Sequence, residues 1–225
     1  MYLQAIPLLF RNPALILAPL FTAVLGIVVQ LFAAPSGGGF LGSINGSIMG
    51  LLIFLFDAFG LAISVIIAEA VWRRGKGSFD DGWEEGRRKA GDIFMAAIGL
   101  SFIMSIAQMI GGFLNSTIAS IVLMLLTIFF FIYTIPAAAI GGIPGFNSLN
   151  TSIERVKENY LSALALMVTF VVIYAGPLFL GTYLWAFGDI AHFLIVAVLQ
   201  AIGLAYFALV LARSYDQAAF IRRRF

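Results

Sequence analysis

Few side chains in this sequence are placed to do chemistry, and the one that stands out is Asp57, a carboxyl inside the apolar run from Leu51 to Leu61. An ionised carboxylate at the centre of a bilayer costs at least ~2.5 kcal/mol on insertion scales, so Asp57 must face other helices or water, or hold a proton. One reading makes it an ion or proton relay site. The other makes it a neutral, hydrogen-bonded aspartate packed between helices, or one nearer the outer interface. Glu69 needs less explanation, because Arg73 follows at the spacing of a pair on one helix face. Asp189 and His192 fall together at the outer end of the last apolar stretch. His192 is the only histidine, which excludes a histidine metal cluster. Beside an aspartate it caps or orients a helix end, and as a functional group it offers a single axial ligand to a pigment or haem.

The chain has no cysteine, so disulfides, thiolate metal sites and cysteine nucleophiles are excluded. The His-Glu-x-x-His, Gly-x-Ser-x-Gly and Walker patterns are absent, as are repeated acidic clusters in the apolar runs. A self-contained enzyme is not expected, and no cofactor is called for.

The elements that must position these residues follow from composition. Hydrophobic residues make up 62% of the 225 and charged residues 11%, against roughly a quarter charged in an ordinary soluble domain. The sequence predicts one all-α polytopic membrane domain over residues 1–225 with six transmembrane helices. At about 20 apolar residues per span, helix 1 lies near Ala14 to Ala34, helix 2 near Ile44 to Trp72 and helix 3 near Ile93 to Ile110. Helix 4 lies near Thr117 to Ile140, helix 5 near Tyr160 to Trp185 and helix 6 near Ile190 to Arg213. Turns are expected at Pro35 to Gly39, Gly111 to Ser116 and Ala186 to Asp189, and kinks at Pro136 and Pro177. Trp72 and Trp185 fall at helix ends, where amphipathic rings meet headgroups.

Every Lys and Arg then falls on one side: Arg11, the segment Arg73 to Lys89, Arg155 with Lys157, and Arg213 with Arg222, Arg223 and Arg224. Cytoplasmic loops retain such residues during insertion, so both termini are expected in the cytoplasm and the chain in the cell membrane as a multi-pass protein.

Each pair of spans is led by a polar segment of similar pattern. Ser78-Phe79-Asp80-Asp81 has the form of a capping box, and Phe79, Trp83 and Ala90 then share a face opposite the pairs Glu84/Arg88 and Glu85/Lys89. Leu149, Ile153, Val156 and Tyr160 repeat that stripe, with Ser148 in the place of Ser78. Tyr2, Ile6, Leu9 and Pro13 give a weaker copy, interrupted at Pro7. The expected architecture is three hairpins, each preceded by an amphipathic cytoplasmic interfacial helix, in candidate repeats 1–77, 78–147 and 148–225. Trp83, Arg87, Arg88 and Lys89, with Arg222, Arg223 and Arg224, would face lipid or a partner on that side. Anionic headgroups suit the arginine tail better than nucleic acid does. The small-residue stripes Gly60/Ser64/Ala68 and Ala197/Ala201/Ala205 permit close helix packing, within the chain or against a second copy.

The segments Arg11-Asn12-Pro13 before helix 1 and Ser78-Phe79-Asp80-Asp81-Gly82-Trp83 before helix 3 carry a family likeness, as does Ile135-Pro136 followed by Ser152-Ile153-Glu154-Arg155-Val156-Lys157 before helix 5. In these the chain resembles bacterial and archaeal six-helix membrane domains, including the membrane domain attached to some glycerophosphodiester phosphodiesterases. The resemblance implies an accessory membrane module. No catalytic residue carries over from it, because the phosphodiesterase chemistry belongs to a separate soluble domain. Two functions are therefore expected in turn: a non-enzymatic module organising lipid or a partner protein at the inner membrane face, or a small ion or solute transporter or channel using Asp57.

Overall fold

The computed structural model describes residues 1–32, 40–184 and 189–222, and every regular element among them is a helix. In chain order these are α1 (Tyr2–Arg11), α2 (Ala14–Phe32), α3 (Phe40–Arg74), α4 (Phe79–Arg88) and α5 (Ala90–Phe113). They continue as α6 (Thr117–Phe131), α7 (Thr134–Ala139), α8 (Asn147–Glu158), α9 (Tyr160–Leu184) and α10 (Asp189–Arg222). Trp185, Arg223, Arg224 and the turns expected at Pro35 to Gly39 and Ala186 to Gly188 lie outside the described residues, as do the side chains of Asp189, His192 and Arg222.

Among the described residues, five stretches are long and apolar enough to cross a membrane: Ile48–Arg74, Ala90–Phe113, Thr117–Ala139, Tyr160–Gly181 and Phe193–Gln217. A sixth qualifies only when Ala14–Gly26 is taken with Tyr2–Arg11, and that pair is bent by 84°. Five to six spans thus stand where six were expected. Helix is the only open-ended form available to them, since hydrocarbon offers nothing to an unpaired backbone N–H or C=O. Large apolar side chains point outward, among them Phe113 at 80% exposure and Ile118 at 75%, as a membrane-embedded surface requires.

The spans pack as neighbours, α2 on α3, α5 on α6 and α9 on α10, and α10 also packs against α2 and α3. Residue numbers climb in one helix of each pair as they fall in the other. Ile53 meets Gly26, Gly60 meets Thr22 and Ser64 meets Leu15. Gln108 meets Met124 and Gly111 meets Ser120. Gly203 meets Ile173, Phe207 meets Phe170 and Ser214 meets Ser162. The starts of α2, α5 and α9 therefore share one end of the bundle with the ends of α3, α7 and α10, and this is the end that carries the described Lys and Arg residues.

Proline decides two local features. Pro19 has no N–H to give to the carbonyl one turn earlier, that of Leu15. Ser64 Oγ on α3 donates to that carbonyl at 3.2 Å, and its side chain is fully buried. Pro136 likewise has nothing for Ile132, and the expected helix 4 breaks at Ile132 and Tyr133 into α6 and α7. Ser152 of α8 repairs the break from both sides, donating to Phe130 O at 2.9 Å and accepting from Tyr133 N at 3.0 Å. In α1, by contrast, Pro7 does not interrupt the helix. The freed Leu3 carbonyl lies on an exposed residue, where outside partners reach it.

Several local expectations need correction. Ser78 is the N-cap of α4, but its side chain makes no capping bond. Arg88 turns back to Glu85 at 2.5 Å instead of Glu84. Ala90 starts a new helix after α4 and does not extend its stripe. The buried face of α8 is Ser148, Ser152 and Val156, with Tyr160 exposed, because the serines are needed for backbone groups inside the core. Trp72 is turned inward, its Nε1 donating to Leu209 O at 2.8 Å with Arg213 stacked over the ring. Helix α4 sits on α3 through Gly82 and Gly86, where any Cβ would collide with the buried Ile67 and Ile63.

The account of Pro19 is checked by a double-mutant cycle. Ser64→Ala is expected to cost about 1 kcal/mol in the natural chain and much less with Pro19→Ala, where residue 19 can supply the N–H itself. Reversible unfolding in detergent measures both, and equal costs in the two backgrounds would sink the explanation.

Candidate functional site

Two concentrations of polar groups emerge, one at mid-bundle and one at the basic end. Asp57 is the midpoint of α3 and lines a cavity of about 260 Å³. Four helices wall it: Pro19, Ala23 and Gly26 of α2, Ile53 and Asp57 of α3, Tyr174 of α9, and Phe193, Val196, Ala197, Gln200 and Leu204 of α10. Asp57, Tyr174 and Gln200 bring a carboxyl, a phenol and an amide from three helices to the same space. No ion pair involves Asp57 among the described residues. Tyr174 is braced by stacking on Phe170 at 5.5 Å, and Phe170 in turn packs on Phe207 at 5.4 Å.

Toward the basic end the bundle closes. Ala62, Ile63, Val65, Ile67 and Ala68 of α3, Ala205 and Phe207 to Ala212 of α10 and every residue of α7 are buried. Small side chains let the backbones approach there, and the stripes Gly60/Ser64/Ala68 and Ala197/Ala201/Ala205 serve as packing faces within the chain.

Around this plug, one polar side chain at or within a turn of the end of each leading helix reaches a backbone group near the exit of the following pair of spans. Asn12 Oδ1 accepts from Gly77 N at 3.3 Å. Lys89 Nζ donates to Ala139 O at 2.7 Å, the last residue of α7. Arg155 Nη1 donates to Tyr215 O at 2.5 Å, and its guanidinium lies 3.4 Å from the centre of the Tyr215 ring. Burial pulls the Arg155 guanidinium down from its ordinary pKa, against the pull of Tyr215. Behind it, Tyr133 Oη and Ser162 Oγ flank Ser214 Oγ at 2.7 and 2.8 Å.

The other candidates are dispersed. Glu69 pairs with Arg73 at 2.6 Å, across one turn of α3. Trp83 is 37% exposed and sits among Phe21, Phe59 and Phe79, beside a cavity of about 160 Å³ that offers no charged group. Arg87 is exposed, Arg88 and Lys89 both pair with Glu85, and Lys89 is committed to α7 as well. Asp189 begins α10 and His192 follows, next in sequence to the cavity-lining Phe193, with both side chains outside the described residues. Tyr174, Gln200 and Arg155 were not legible as site residues. The available signal was depth, since Tyr174 lies just past the middle of α9, level with Asp57 through α10.

Scanning protein-family models, curated proteins and solved structures finds no match to this chain.

The Lys89 clamp has a pH signature. Hydrogen bonding from Lys89 holds the Glu85 carboxyl below its ordinary 4.5, burial works against this, and Arg88 adds to the lowering. A depressed carboxyl stabilises the fold fully above its unfolded pKa, and that contribution is lost as pH falls through the folded value. The melting temperature of Glu85→Gln should therefore trail the natural chain by a constant margin at neutral pH, a margin that closes once pH drops below 4.5. A margin independent of pH would show that the carboxylate charge is not involved.

Proposed function

We propose that this chain is a non-enzymatic membrane module that binds a small ion or solute at Asp57, acting as a small transporter. The observation that carries this reading is the mid-bundle cavity, where a carboxyl with no ion partner among the described residues shares space with Tyr174 and Gln200. A carboxylate at that depth is costly unless a cation or proton joins it. The packed residues between cavity and basic end make passage conditional on helix movement, as alternating access demands. Pro177 in α9 and the break at Ile132 and Tyr133 are the hinges for it. In proteoliposomes, Asp57→Asn is expected to lower flux of the transported species at least tenfold. Undiminished flux in that variant would end the proposal.

A second reading, organisation of lipid or a partner protein at the inner face, is favoured by α1. Its side chains divide into three sectors: Ala5 and Leu9 buried in the core, Leu3, Ile6 and Phe10 exposed and apolar, and Gln4 and Arg11 exposed and polar. With α1 bent by 84° from the start of α2, this is the pattern of a helix lying in the interface, facing protein, hydrocarbon and water at once. In this reading α4 and α8 lie likewise, the segments 1–77, 78–147 and 148–225 are repeated hairpin units, and the basic end is cytoplasmic with anionic headgroups against Arg87 and the C-terminal arginines. It is also the reading that the resemblance to accessory six-helix membrane domains supports. The chain lacks cysteine, so single cysteines report sidedness cleanly. Replacements at Gln4, Lys76 and Glu158 should label from the cytoplasmic side, and one at Asn115 from the other. Labelling of Lys76 and Asn115 positions from the same side would remove this arrangement.

A further inference from the structure

We infer that the Asp57 cavity takes a small protonated organic amine; this rests on the Asp57 reading above and names its ligand class. Size comes first. A cavity of ~150 Å³ accepts a benzene-sized guest, so about 260 Å³ holds roughly ten non-hydrogen atoms on the same scale. A bare metal ion would leave most of that space empty.

Donor chemistry points the same way. A hard cation such as Mg²⁺ or Ca²⁺ takes six or more oxygen ligands, whereas the side chains here supply the two carboxylate oxygens of Asp57, the amide oxygen of Gln200 and the hydroxyl of Tyr174. No group of three His, Cys, Asp or Glu side chains gathers among the described residues. The remaining described lining is apolar, and two of the lining residues, Tyr174 and Phe193, are aromatic. An ammonium group combines what these offer: its charge pairs with the carboxylate, its N–H groups donate to Gln200, and aromatic faces attract it further. The hydrocarbon part of the amine fills the apolar remainder, as in ordinary ligand pockets. Stacking of Tyr174 on Phe170 fixes one ring before the ligand arrives, which lowers the ordering cost of binding.

The test uses the full chain in detergent, with benzylamine as probe, benzyl alcohol as its uncharged counterpart, and sodium and potassium chloride as inorganic cations, all read by calorimetry. Benzylamine is expected to bind saturably and benzyl alcohol at least tenfold more weakly. Asp57→Asn should weaken benzylamine at least tenfold and Tyr174→Leu at least threefold, while Tyr174→Phe stays near the natural chain. The Tyr174 pair carries the test if Asp57→Asn does not fold. Asp57-dependent binding of sodium or potassium without benzylamine would overturn the amine class and leave the Asp57 site standing. Equal binding of benzyl alcohol and benzylamine would reduce the cavity to an apolar void and overturn the inference. Absence of any Asp57-dependent binding would overturn both this inference and the reading it rests on.

Discussion

A backbone carbonyl or amide inside hydrocarbon must have a partner within the protein, and the placement of polar side chains in this bundle follows from that constraint. The prolines create the need. Pro19 frees the carbonyl of Leu15, and Ser64 meets it from the neighbouring helix. Pro136 forces the break before α7, and Ser152 satisfies the two groups that the break exposes. The short helix α7 then ends inside the core, where Lys89 supplies a donor for Ala139. Serine does the first two tasks because its hydroxyl both donates and accepts and its small size leaves the helices in contact. Lysine does the third because its long stem reaches a carbonyl while its pairing with Glu85 stays at the bundle edge.

The same economy of size accounts for the difference between the closed end and the open middle. Where alanines and glycines on one helix meet branched or aromatic side chains on another, as Gly203 meets Ile173 and Gly86 meets Ile63, the space is filled. At the level of Asp57 the lining includes the small residues Ala23 and Gly26 of α2 and Ala197 of α10, with Ile53 beside Gly26. The rings that could fill the gap, Tyr174 and Phe193, line it instead. Among the described lining residues Asp57 is the acidic one, and the cavity beside it has room for a guest.

Much of this was readable from residue order, and the reasons it stopped are physical. Charge-free runs bounded the spans to within a few residues, since both hydropathy and helix rise are local properties; α5 ends at Phe113 where Ile110 was expected, and α10 runs on past Arg213. Glu69 with Arg73 was equally local. Three-dimensional partnerships were not. Ser64 looked like one small residue in a packing stripe, and its role depends on Pro19, 45 positions away in sequence but adjacent across the pair α2 and α3. Gln200 looked like a stray interhelical amide, and Tyr174 like an ordinary aromatic, because nothing in a single helix records which residues of other helices share its depth. For Trp72 the place at a helix end was readable, and the bond from its Nε1 to Leu209 O on α10 was not.

The proposed repeat units bear on Asp57 itself. Asn12 to Gly77, Lys89 to Ala139 and Arg155 to Tyr215 perform one geometric task with three different side chains, so what recurs is the tie between a leading helix and the exit of its own pair of spans. Chemistry varies freely as long as a backbone group is met. Counting back from each tied residue by the interval that separates Gly77 from Asp57 leads to Ala119 in the second unit and Ile195 in the third, both apolar. Those two positions of the proposed units thus carry no carboxyl. Under the proposed reading, a carboxyl held at a depth where it is costly and placed beside a cavity is accounted for by what it binds.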